Sequence, residues 1–103
     1  MVVVNVLNHV ERCYSNEDGT KIFKLVTKYF NKGEIVILSF EGVNSLTSSF
    51  TNTALIELLK EYDFNYIKNN LRFTNSNKNI NEMIKNRFAF EVNRMNQKEL
   101  ITV

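Results

Sequence analysis

The sequence predicts an α/β domain, with a mixed, mostly parallel sheet of about four strands and alternating helices. Three observations carry this. Segments of helical period alternate with short β-branched apolar runs along the chain. The run Ile35-Val36-Ile37-Leu38 is apolar at every position, the pattern of a central strand buried on both faces of a parallel sheet. The 103 residues are enough for one modest hydrophobic core and too few for two.

The elements follow in order. Residues 2–7 are apolar and rich in valine, which reads as a strand. Residues 8–18 are polar, with Val10 and Tyr14 as anchors for a second strand that would make an N-terminal hairpin. Residues 20–32 are helical by period, because Ile22, Leu25, Val26, Tyr29 and Phe30 fall at i, i+3, i+4, i+7 and i+8. Asp18 and Thr20 are candidate caps at its start and Gly33 its stop. The only glycines, Gly19, Gly33 and Gly42, are read as turn punctuation between periodic segments.

The central strand covers residues 34–40 and a turn follows over 41–46. Thr47, Ser48 and Ser49 offer N-cap oxygens for a second helix, whose apolar stripe is Leu55, Leu58, Leu59 and Tyr62. Residues 63–70 read as a connection with a short extension of strand, 71–74 as a third strand and 75–79 as a polar loop. Ile80, Met83, Ile84 and Phe88 mark a third helix. After Arg87 the pattern fits both a strand (Phe88, Phe90, Val92) and a continuing helix (Ile84, Phe88, Val92, Met95). The reading is one domain over 1–103, with its core over about 1–92 and residues 96–103 loosely held.

Composition narrows the chemistry. One cysteine, Cys13, excludes a disulfide framework within the chain, and with the single His9 it cannot supply a Cys/His zinc site. Cys13 and His9 are four residues apart, but nothing nearby would orient the imidazole or build an oxyanion hole. No phosphate loop, nucleotide fingerprint, HExxH or calcium loop occurs, so no metal and no cofactor is expected. Glu57 and Glu61, with Glu41, read as solvated acidic edge rather than as a catalytic carboxylate pair. The expectation is therefore a protein that is not an enzyme. No apolar run approaches the roughly 18 residues a membrane span needs, and the start of the chain lacks a leader's basic region and length, so a cytoplasmic location is expected. Sixteen asparagines, concentrated between Asn65 and Asn96, read as AT-rich coding bias.

Residues 36–50 carry a resemblance. The phrases Ser39-Phe40-Glu41-Gly42-Val43 and Ser48-Ser49-Phe50 resemble the strand end, turn and helix start of STAS domains, the anti-sigma factor antagonist fold. They are more similar still to a STAS-like family of unknown function found in bacteria and their phages, where a strand ends in DF-x-G-V and SSF opens the next helix. Ser39 replaces that family's aspartate. Thr47 falls where sporulation-type antagonists carry an aspartate before the phosphorylated serine, and Phe50 stands in place of the glycine that follows the serine pair. Thr51-Asn52-Thr53 stands where the STAS-like family often has an acidic residue.

The resemblance implies a regulatory module acting through protein–protein interaction, as partner or phospho-switch substrate of a histidine-kinase-like ATPase. The implied surface is residues 42–53: Ser48 first, Ser49 second, with Thr47, Asn52 and Gly42 beside them. Phe50 is expected in the core. A phosphate on Ser48 would meet the free N–H groups of a helix start while adding about two negative charges; the plainer reading is that Thr47, Ser48 and Ser49 are only caps. A different class of function is a phage- or mobile-element-encoded module that binds nucleic acid or a host enzyme. Its support is the line Lys21, Lys24, Lys28 and Lys32 on one face of the first helix, although a net charge of +2 is a weak basic footprint.

Overall fold

Three short strands run parallel in the computed structural model, which describes the backbone of residues 1–102 and the side chains of residues 1–96. They are β1 (Val2–Asn5), β2 (Val36–Ser39) and β3 (Leu71–Thr74), in the spatial order β1-β2-β3. The helices are α1 (Asn16–Phe30), α2 (Ser48–Ala54), α3 (Phe64–Asn70) and α4 (Lys78–Thr102). Single 3-10 segments occupy Val6–Asn8 and Ile56–Lys60. None of the described helices is long and apolar enough to cross a membrane.

The strand order explains what is buried. Parallel strands joined by right-handed crossovers put each connecting helix on a set face of the sheet. Because the order advances without reversing, both crossovers cover the same face. Register places Val4, Leu38 and Phe73 in one row, where Val4 and Leu38 are buried and Phe73 half-buried. The alternate row, Val3, Ile37 and Arg72, lies on the opposite face: Val3 is 63% exposed, Arg72 exposed and Ile37 half-buried. The expectation of a central strand buried on both faces is thus corrected, since Ile37 looks toward the uncovered side.

Other expectations change at the element boundaries. The fourth strand and the N-terminal hairpin do not form. After Asn5 the chain makes a 3-10 turn and then an irregular loop, in which Val10 and Cys13 are buried and Tyr14 is exposed. Helix α1 starts four residues earlier than periodicity predicts. Its N-cap is Ser15, whose hydroxyl accepts from the Asp18 amide at 3.1 Å while the Asp18 carboxylate accepts from the Ser15 amide. This capping box gives Asp18 the third helical position rather than the cap. The first turn is polar, so an apolar period cannot reveal it.

Helix α2 ends at Ala54, and the Leu55, Leu58, Leu59 and Tyr62 stripe continues through the 3-10 segment. Leu55 and Leu58 are fully buried. Thr51 and Thr53 both donate their hydroxyls back to carbonyls one turn earlier, at 2.9 and 3.0 Å, which weakens and bends a helix. Residues 64–70 are helix rather than strand extension, because Asp63 caps them (Tyr66 amide to Asp63 Oδ1, 2.7 Å) and Phe30, Tyr62 and Tyr66 form a three-ring cluster with centroids 5.1 to 5.3 Å apart. The ambiguity after Arg87 resolves to helix, since α4 continues through Thr102. The loose-tail expectation for 96–103 turns on packing that lies outside the described residues.

Gly19 is the largest correction. It is no turn glycine but lies in the first half of α1, buried against α2. A Cβ at this position would stand 2.8 Å from Thr53 Cβ, 2.9 Å from the Phe50 carbonyl oxygen and 3.1 Å from the Ala54 amide. Two of these three obstacles are backbone, which cannot rotate away. Gly33 and Gly42, at φ +77 and +82, are the turn glycines expected.

An Ala in a helix with room around it gains about 0.5–1 kcal/mol over Gly. Here overpacking wins, and Gly19→Ala is expected to destabilise by about 1–3 kcal/mol. A lower urea midpoint for this variant is the predicted result; a higher one would contradict the close packing.

Candidate functional site

Three loops meet at the carboxyl ends of the strands, and side chains lace them together. The first loop, before α1, is joined to the start of α2: the Thr47 amide donates to the Cys13 carbonyl at 3.2 Å, and the Thr47 hydroxyl donates to the Tyr14 carbonyl at 2.6 Å. The second loop opens with a β-turn in which the Val43 amide donates to the Phe40 carbonyl at 2.9 Å. Gly42 holds the third position of that turn, where positive φ is needed. The third loop crosses back to the second. Asn75 Nδ2 donates to Ser39 Oγ at 2.9 Å, and Asn77 Nδ2 donates to the Asn44 carbonyl at 2.9 Å.

Ser39 is buried and spent on this lacing. Asn75 takes φ +53, a left-handed backbone that asparagine tolerates. Asn77 also accepts from the Ile80 amide at 2.8 Å and so caps α4. Part of the asparagine excess therefore has structural work in these loops.

The α2 start separates two roles that the sequence left together. Thr47 is the cap: its hydroxyl accepts from the Phe50 amide at 3.1 Å. Ser48 and Ser49 are exposed in the first turn, and among the described residues neither hydroxyl has a hydrogen-bond partner. Phe50 is fully buried, as expected of a core residue. Asn52 points elsewhere. It is half-buried and its Oδ1 accepts from Arg87 Nε at 2.8 Å, a tie between α2 and α4.

Residues that the sequence did not single out as site candidates join this surface. Tyr14 is 48% exposed, with the Arg12 guanidinium 6.0 Å from its ring centre. Leu7 is partly exposed and would lie 3.0 Å from a Cβ on Gly42. These flank a shallow cavity of about 180 Å³ that reaches Asn44 and Ser45. No sequence signal marks them as site residues, because Tyr14 reads as a strand anchor, Leu7 as a strand end, and the loop between them holds no binding motif. The strand order also has no reversal, so the edge lacks the crevice that forms at a topological switch point.

The remaining candidates do not converge. Lys21, Lys24, Lys28 and Lys32 are all exposed along or just after α1, and the Lys28 and Lys32 ammoniums lie 5.6 and 6.0 Å from the Tyr29 ring centre. Glu57 pairs with Lys60 at 2.9 Å, and Glu41 and Glu61 are exposed. His9 is exposed whereas Cys13 is fully buried. Burial first, and the Asp18 charge second, push the Cys13 thiol up to about 12, so it is neutral and unlike an activated nucleophile.

A parallel α/β domain with one helical layer, whose conspicuous surface is a strand–turn–helix junction, defines the class. The chain belongs to the family described as the STAS-like domain of unknown function (DUF4325), which matches residues 18–81, more than half of its length. The matched span runs from the first turn of α1 to the first turn of α4. No curated protein and no solved structure matches the chain.

Two outcomes follow from this geometry. Thr47→Ala is expected to cost about 1–2 kcal/mol of stability, as for a lost N-cap, while Ser48→Ala and Ser49→Ala stay within about 0.5 kcal/mol; equal losses at all three in urea unfolding would contradict the division of roles. For Cys13, the folded thiol titrates near 12 and the unfolded one near 9, so the unfolded chain ionises first as pH rises. Its contribution to stability is full below pH 9 and is lost between 9 and 12. Iodoacetamide below pH 9 should leave the folded chain unmodified and label it in urea, as read by intact mass.

Proposed function

We propose that this domain is a regulatory module that acts by binding another protein through the α2 start and the loop before α1. The observation that carries the reading is the pair of exposed hydroxyls on Ser48 and Ser49, without a hydrogen-bond partner among the described residues and adjoining Thr47, which ties the α2 start to the Tyr14 loop. With Thr47 serving as the cap, the two serines are not needed to hold the helix, and recognition or modification is open to them. Tyrosine and arginine are residue types that concentrate binding energy at protein interfaces. The rigid loop lacing presents these groups at little ordering cost.

Within this reading the partner is a histidine-kinase-like ATPase, by resemblance to STAS antagonists, and Ser48 is the phosphate acceptor with Ser49 second. The Ser48 position fits a switch, since two added charges at this exposed helix start would change partner affinity strongly. Support comes from the strand–turn–helix phrases, with Thr47 in place of aspartate as the main departure.

The test is incubation with ATP and a histidine-kinase-like ATPase from the same genome, followed by intact mass and gel filtration. One added phosphate that Ser48→Ala removes, or a complex that Tyr14→Ala and Arg12→Glu both weaken by tenfold or more, is the expected outcome. Neither phosphate nor complex would overturn the reading. A nucleic-acid gel shift lost in the Lys24→Glu, Lys28→Glu double variant would put the lysine face in its place.

A further inference from the structure

A second feature lies away from the strand ends, where α3, β3 and α4 enclose an apolar groove of about 380 Å³. Its floor is Ile67, Leu71 and Phe88, which are nearly fully buried. Phe64, Phe73 and Val92 form its walls. The walls are braced: the Phe64 and Phe88 ring centres are 5.5 Å apart, and Phe73 stacks on Phe40 at 6.0 Å. The groove lies along β3, an edge strand, where Val92 of α4 lines the side opposite Leu71 and Ile67.

The polar groups of the groove are Lys68, Lys85 and Asn93, with no carboxylate among them. Among the described residues neither lysine is in an ion pair. The Lys68 ammonium lies 5.7 Å from the Phe64 ring centre, at the boundary between the apolar wall and solvent. Small-molecule sites combine these features: a preformed apolar concavity of some 300–1,000 Å³ with a few polar groups that orient the ligand.

We propose that this groove binds a small amphipathic carboxylate, with its apolar body against Leu71, Phe73 and Phe88 and its anionic head between Lys68 and Lys85. The positive rim without acidic residues selects the head group, and the groove volume selects a body of medium-chain length. This inference is independent of the partner surface at Ser48, which lies on other elements.

Two-dimensional NMR titration of the whole chain with decanoate, decanol and decyltrimethylammonium tests it. Decanoate should give saturable shifts confined to α3, β3 and residues 85–93, with at least tenfold higher affinity than decanol and no saturable binding of the cation. The Lys68→Glu, Lys85→Glu double variant should abolish the preference for decanoate over decanol. Ala89→Phe, an exposed lining position, should block all binding while leaving the urea midpoint unchanged. Equal affinities for the three head groups, shifts elsewhere, or a dimer whose interface occupies the groove would overturn the proposal.

Discussion

The absence of a side chain at Gly19 is the constraint on which the rest of the structure depends. Helices normally pack with axes 8–10 Å apart, the spacing being set by the side chains at the contact. At Gly19 nothing intervenes, and α1 meets the backbone of α2 at Phe50 and Ala54. The same approach brings the Thr53 hydroxyl within 3.0 Å of Asn16 Oδ1, from the last turn of α2 to the first turn of α1. With the two helices drawn together, Thr47 reaches the carbonyls of Cys13 and Tyr14, and the α2 start is held against the loop before α1. The position of the α2 start against the Tyr14 loop thus depends on a glycine in α1 that packs on the backbone just after Ser49.

The close packing matters more because the sheet has only one covered face. Every strand relies on the same helical layer to bury its inner row, and that row supplies Val4, Leu38 and, at the margin, Phe73. Polar lacing at the strand ends complements this apolar contact. Ser39, Asn75 and Asn77 tie the second and third loops as Thr47 ties the first and second. The edge is thereby fixed without a metal-ligating cluster among the described residues.

The sequence reveals elements well where burial imposes a period, and poorly where polar contacts decide. Ile22, Val26 and Phe30 announced α1, yet the polar turn from Asn16 escaped the period and was encoded instead in the Ser15–Asp18 box. Residues 64–70 look like a linker by propensity; the ring cluster on Phe30 and the Asp63 cap make them helical. The strand–turn–helix phrases located the α2 start correctly. Which oxygen caps it depended on the Thr47 contacts 33 residues upstream, invisible to local reading. Gly19 reads as a turn glycine because a glycine needed for positive φ and one needed for close approach are the same letter. Tyr14 and Arg12 carry no motif, and only the fold brings them to the junction.

The most direct measurement is a nuclear Overhauser spectrum of the assigned chain in solution. The account predicts strong cross-peaks from the Gly19 α-protons to Thr53 Hβ, together with contacts to the backbone of Ala54. Helices at Asn16–Phe30 and Ser48–Ala54 with no cross-peak between Gly19 and Thr53 would contradict it.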